Sequence, residues 1–174
     1  MNVPNPIKIV GSAVYADGLS MVGSVEFTIP DMMFLKEEVD SLASAGAYDM
    51  ILPKMEKMET EVKANGPGSI MAKAAFQMNS NLILDARGTY QVDDPASGVS
   101  VVSDKIVMHV RGAGLAMGTQ ANSSGGERAA KFVVNEIIYY VDGVEVLHFA
   151  TGAKNILVVN GVDLMSTHRR NLGN

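Results

Sequence analysis

The side chains able to do chemistry are few in this chain, and they are scattered. There is no Cys, which removes disulfides, thiolate nucleophiles and Cys-ligated zinc together. The three histidines, His109, His148 and His168, stand far apart with no paired metal-ligand spacing. A lone His on a strand is an ordinary hydrogen-bonding or surface residue. Asp93-Asp94 offers two adjacent carboxylates, but Pro95 and Gly98 follow and make a turn of the segment. The run Gly112-Ala113-Gly114-Leu115-Ala116-Met117-Gly118 lacks the spacing of a dinucleotide loop, and no helix with a downstream acidic partner follows it. Asn122-Ser123-Ser124 fits a glycosylation acceptor, which has meaning only in a secreted chain. No Ser, His and Asp arrangement follows from order alone. These residue types ask for no catalysis, no metal and no cofactor.

The totals narrow the field further. A chain of 174 residues, 47% hydrophobic and 19% charged, is long and apolar enough for one domain over residues 1–174 with a substantial core. A net charge of −5 argues against a surface that grips phosphates, since such binding needs Lys and Arg to displace counterions. It leaves open a surface that nucleic acid merely passes. Near the N-terminus, Pro4 and Pro6 interrupt any apolar run of signal-sequence length. No window reaches the length of a membrane span, so the expectation is a protein made and folded in a cytoplasm. Twelve Met against no Trp fits two readings equally, a forgiving core or adaptable subunit contacts.

The elements read mostly as strands. Ile7–Ala16 and Ser20–Ile29 alternate around Asp17-Gly18, a tight-turn signal, and predict a β-hairpin that Pro30 ends. Residues 69–79 predict one amphipathic helix. Ser69 stands as its N-cap, and Met71, Ala74, Ala75 and Met78 form its apolar stripe. Strands are expected over Asn81–Val92, Val99–Arg111, Lys131–Val141, Glu145–Ala150 and Ile156–Val159, with a loop over Gly112–Ala129 and a second hairpin turn at Asp142-Gly143. Strict alternation in Lys131–Val141 puts Phe132, Val134, Ile138 and Tyr140 on one face and Val133, Ile137, Tyr139 and Val141 on the other. Apolar residues on both faces predict a central strand covered on both sides. The fold class is mainly β, an antiparallel β-sandwich or barrel with one helix packed on it.

Residues 31–66 resist such a simple reading. Leu35, Val39 and Leu42 recur at i, i+4, i+7, a helical spacing. Further on, Met58, Thr60 and Val62 alternate with Lys57, Glu59, Glu61 and Lys63, as in a strand. The small, uncharged Ser41–Ala47 lies between. It is either a surface loop or a segment that lies against another molecule.

The C-terminal stretch begins with Asn160-Gly161, a turn. Asp163 then reads as the N-cap of a short helix whose last turn carries His168, Arg169 and Arg170, which suits the helix dipole. The string Asn-Gly-Val-Asp, followed by His-Arg-Arg-Asn and Leu-Gly, closely resembles the ending of the major tail tube proteins of contractile-tailed bacteriophages. It is similar to the tubes of R-type pyocins as well. The resemblance continues upstream through Tyr139–Gly143, Val107–Gly112, Arg87–Gln91 and Val25–Pro30, and so covers nearly the whole chain.

That resemblance implies two packed antiparallel sheets with a helix, and a long extended hairpin arm over residues 31–66 in place of a helix. It implies hexameric rings stacked into a tube inside a contractile sheath. The other partners would be a tape measure protein and the baseplate and tail-terminating proteins, with DNA passing down the lumen without specific binding. The expected location is the virion, after assembly in the host cytoplasm. The family has no catalytic residues or cofactor to carry over. Leu35, Val39, Leu42, Ala45, Gly46, Tyr48 and Met50 are then expected at the subunit interface, together with Asn160, Gly161, Asp163, His168, Arg169 and Arg170 of the tail. The charged face Lys57, Glu59, Glu61 and Lys63 is expected to line the lumen. Two alternatives stand beside this reading: the tube of a phage-derived bacteriocin or injection system, and a monomeric β-barrel that binds a small ligand.

Overall fold

The computed structural model describes residues 5–17, 19–20, 25–40, 46–65, 75–76, 81–94, 98–116 and 127–171. Among these residues the strands are β1 (Asn5–Ala16), β2 (Leu19–Ser20), β3 (Val25–Thr28), β4 (Phe34–Val39), β5 (Tyr48–Met55), β6 (Glu59–Asn65), β7 (Leu82–Asp94), β8 (Gly98–Ala116), β9 (Glu127–Val141), β10 (Val144–Ala150), β11 (Ile156–Val159) and β12 (Val162–Asp163). A short helix, Ser166–Asn171, follows.

The most β-prone run of the sequence becomes the strand that joins the layers. Along one edge, β9 pairs with β8. Its other edge is divided: β6 takes residues 127–133 and β10 takes residues 136–141. The main path runs β12-β11-β10-β9-β8-β7-β1-β2, and β3 joins through β6. Every pairing is antiparallel. The two layers expected from the sequence are thus arms of one forked sheet. Phe132, Leu84, Met108, Ile137, Leu157, Val62 and Val110 are fully buried between them.

A β-bulge decides which apolar residues point inward. His109 pairs with Glu136, whereas Val110 pairs with Val134. Asn135 is therefore an extra residue on β9, and such an insertion reverses the alternation beyond it. Phe132, Val134 and Ile137 consequently share the core side, with Tyr139 packed against it. Strict alternation had placed Ile138 and Tyr140 there instead. The same bulge turns Glu136 to the outer face beside His109.

Three other expectations are corrected. Asp17 has a φ of 47° and ends β1 in a tight turn, but β2 has only two residues. The following strand is not the second half of that hairpin. Val25–Thr28 pairs with β6 in the other layer, where Phe27 packs against the core. The arm is shorter than residues 31–66, because β6 belongs to the main sheet and only β4 and β5 form a separate two-stranded sheet. The Gly112–Ala129 connection narrows, since β8 runs to Ala116 and β9 starts at Glu127. Most of the expected helix at 69–79 lies outside the described residues. Ala75 and Phe76 are helical, and Ala75 is buried in the core cluster.

Gly88 shows why one strand position excludes a side chain. It pairs with Asp104, and a Cβ at Gly88 would overlap the Asp104 carboxylate. That carboxylate accepts a hydrogen bond from the Tyr90 hydroxyl at 3.2 Å. Burial, and then the Asp104 charge, push the Tyr90 phenol above its ordinary pKa. Gly88→Ala should displace Asp104 and break this bond, at a cost of about 1–3 kcal/mol. Denaturant unfolding measures that loss, and spectrophotometric titration should show an elevated phenol moving down. Unchanged stability and titration would mean that Asp104 swings aside freely.

Candidate assembly interface

Val39 pairs with Tyr48, Glu37 with Met50, Glu38 with Asp49 and Lys36 with Ile51 in the β4–β5 arm. Its base is fixed by Phe34 and Met55, which pack against the core, and by a 2.9 Å bond from the Glu56 amide to the Met33 carbonyl. Beyond the base the arm is uncovered. Alternation puts Leu35, Val39, Tyr48 and Met50 on one face. Of these, Leu35 is 39%, Met50 41% and Tyr48 55% exposed, and Ile51 on the opposite face is 65% exposed. Large apolar side chains left this open on a two-stranded ribbon form an exposed patch of the kind that suits an interaction surface. The i, i+4 spacing of Leu35 and Val39 is even, so it suits one face of a strand as well as one face of a helix. Structure decides for the strand. Gly46 is exposed near the start of β5, while Leu42 and Ala45 lie outside the described residues.

The tail forms a separate surface. Asn160 and Gly161, with φ of 48° and 78°, make the tight turn between β11 and β12. Asp163 is not the N-cap expected from the sequence. It precedes the helix by three residues, and its Oδ1 accepts the Met165 amide at 3.0 Å, closing a turn that leads into the helix. The other carboxylate oxygen pairs with Arg169. That guanidinium also donates to the Asn155 carbonyl at 2.8 Å, tying the helix back to the loop before β11. The hydrogen bond from Arg169 holds the Asp163 carboxyl below its ordinary range. His168 and Arg170, in the last turn, remain exposed.

On β6 and the residue before it, Met58, Thr60 and Val62 face the core and Glu59, Glu61 and Lys63 face outward. The outward charges pair with opposite ones. Lys57 lies 2.6 Å from Glu59, Lys63 is 3.6 Å from Glu26 on β3, and Lys131 on β9 is 3.9 Å from Glu61. The hydrogen bond from Lys57 lowers the Glu59 pKa. These pairs are solvent-exposed and contribute little to stability. Their consequence is a face of low net charge.

Sequence reading missed a polar cluster on the outer face of the main sheet. Glu136 is only 7% exposed. Lys154 Nζ donates to its Oε2 at 2.5 Å, and His148 Nε2 lies 3.0 Å from its Oε1. The available signal was a carboxylate inside an otherwise apolar β run, but the bulge that turns it outward leaves no local mark. Burial alone would raise the Glu136 pKa. The bonds from Lys154 and His148 outweigh it, so the group sits below the usual value of 4.5. A depressed carboxylate stabilises the fold above its unfolded pKa, and that contribution is lost as pH falls through the folded one. The melting temperature should therefore decline below about pH 4.5. Glu136→Gln should cost about 1–3 kcal/mol at neutral pH and make the acid limb shallower. Identical acid limbs in thermal melts would remove Glu136 from the pH response.

Comparison with known proteins follows the same lines as this architecture. The profile of the family described as phage tail tube protein FII matches residues 6–173. No curated protein matches the sequence. Among solved structures, the chain is similar to one titled as the sheath/tube terminator of PVC, an extracellular contractile injection system, in its extended state. Identity there is 9%, the TM-score is 0.54, and the match covers 80% of this chain and 99% of that one. A second similar structure is titled as the PVC sheath–tube complex, with 12% identity, a TM-score of 0.49, and coverage of 78% of this chain and 91% of that one. With the family profile spanning nearly every residue, the chain belongs to the phage tail tube protein FII family, and its role is that of a structural tail tube protein.

Proposed function

We propose that the protein assembles into hexameric rings that stack into the inner tube of a contractile tail, with no enzymatic activity. The observation that carries this reading is the exposed apolar side chains Leu35, Tyr48 and Met50 on one face of the β4–β5 arm, with the half-buried Val39 beside them. An arm of this kind loses apolar exposure only by reaching another molecule, and copies of the same chain are the partners a tube supplies. Edges support the same reading. Apart from its two-residue pairing with β2, β1 has no strand along its outer edge among the described residues. Unpaired edges invite aggregation in a monomer and disappear when a ring closes. Asn160, Gly161, His168 and Arg170 would add contacts at the tail, and Leu42 and Ala45 would extend those of the arm.

The tube would run inside a sheath and end at baseplate and terminator proteins. A tape measure protein would fill it during assembly. Its place would be the virion, or a phage-derived injection particle, after assembly in the host cytoplasm. The face carrying Lys57, Glu59, Glu61 and Lys63 suits a channel wall, since its charges are already paired and present little cationic surface to DNA.

Two experiments test the reading. Replacing Tyr48 and Met50 with Ser should leave a folded monomer that no longer forms tubes in negative-stain micrographs, because central aromatic and large apolar contacts each carry about 2 kcal/mol or more. Tubes of normal length from that variant would show that the arm is only a loop. Particles carrying Glu59→Lys and Glu61→Lys should assemble but eject DNA slowly or not at all. Normal ejection would move the lumen to another face.

A further inference from the structure

Arg111 sits at the rim of a groove of about 370 Å³ on the outer side of the main sheet, bordered by β8, β9 and the turn after β10. Glu136, in the same groove, is already matched by Lys154 and His148. Arg111 is not matched in this way. Its Nε donates to the neutral Asn81 side chain at 3.0 Å, and among the described residues it has no carboxylate partner. His109 and Asn135 line the same groove. One permanent positive charge is left over, carried by a planar group whose donors fit a carboxylate in two places at once.

The arm presents the opposite imbalance. Glu38 and Asp49 are direct cross-strand partners. Both are exposed, Asp40 follows just beyond, and Lys36 is the one base beside them on β4. Like charges directly opposite each other destabilise a strand pair. Among the described residues none of the three acids has a cationic partner in an ion pair. The face that carries Glu38 and Asp49, with Lys36 and the exposed Ile51 beside them, therefore has excess negative charge. Its opposed carboxylates repel until a cation meets them, whereas the other face carries Glu37 among its apolar residues.

We propose that the groove is the seat of the acidic arm face of a second copy of this chain, with Arg111 meeting Glu38 and Asp49 while Lys154 stays on Glu136. The inference rests on the assembly reading above and names the surface that receives the arm. Desolvation at the closed contact strengthens the new pairs, and the opposition of Glu38 to Asp49 is relieved only there. The free chain keeps its arm extended and mutually repelled, which disfavours folding back on itself.

Charge exchange tests the seat. Arg111→Glu and Glu38→Arg should each raise the protein concentration needed for tube assembly about tenfold or more. Neither should lower the melting temperature, because both sites are exposed. The combined variant Arg111→Glu/Glu38→Arg should return to within about threefold of wild type, since the two sites act as one pair. Light scattering reads the threshold and electron microscopy confirms the tubes. Wild-type assembly by Arg111→Glu overturns the seat and leaves the tube reading intact, as does a combined variant no better than either single one. Normal tubes that lose only sheath binding assign the groove to that partner and likewise overturn the proposal. A wild-type protein that stays monomeric in this assay overturns the assembly reading, and the seat with it.

Discussion

Pairing of one edge of β9 with two different strands is the constraint on which the rest depends. A backbone edge has a fixed number of donors and acceptors, so β6 and β10 can share it only end to end. At the handover two residues, Val134 and Asn135, fall between the two ladders. Sidewise hydrogen bonds serve them: the Val134 amide reaches the Met58 carbonyl at 3.1 Å and the Thr151 amide reaches the Asn135 carbonyl at 2.9 Å. The Val134 amide and the Asn135 carbonyl thus keep partners at the fork. The bulge on the β8 side, near Asn135, sets the inward orientation of Ile137.

The same feature connects the core with the surface. Moving the alternation by one residue buries Ile137 and turns Glu136 outward among His148, Lys154 and His109. A buried carboxylate is tolerable only when its charge is met, and both oxygens of Glu136 are occupied. The sheet's outer face is therefore not a blank polar surface. It holds a neutralised pair at its centre and an Arg at its rim, next to the turn that follows β10.

Residues 31–65 show a different division of labour. The β6 part is bound into the main sheet by its inward Met58, Thr60 and Val62, and Thr60 donates to the Thr28 carbonyl at 2.6 Å across to β3. The β4–β5 part is bound only at its base. Two strands alone bury too little to be stable in water, so the arm depends on its anchored base and, in the proposed assembly, would gain from being covered. Intramolecular packing thus holds the domain together, while surface the monomer leaves unpacked is what a tube can use. The outer charges of β6 are neutralised within the chain and the acidic charges of the arm are not, which separates a face suited to passage from one suited to contact.

Much of this was legible in the residues. Alternation located the strands from β7 to β11 within a few positions, Asp142-Gly143 and Asn160-Gly161 marked their turns, and Met58, Thr60 and Val62 were correctly read as one side of a strand. The absence of any catalytic constellation, with the family ending at Asn160–Gly173, pointed to a structural role that the family match bears out. These features are local, and local sequence encodes them through period and turn chemistry. What only the tertiary structure decided was parity and partnership. Leu35 and Val39 suit a helix or a strand equally until β5 pairs with β4. Asn135 carries no local sign that it is the surplus residue, because a bulge exists only relative to the strand opposite. Val25–Thr28 leaves its apparent hairpin to pair with β6, where Phe27 packs against the core. Asp163 looks like a cap until Arg169 folds back to it. Each of these outcomes depends on a contact between residues distant in sequence, and no period within a single segment carries that information.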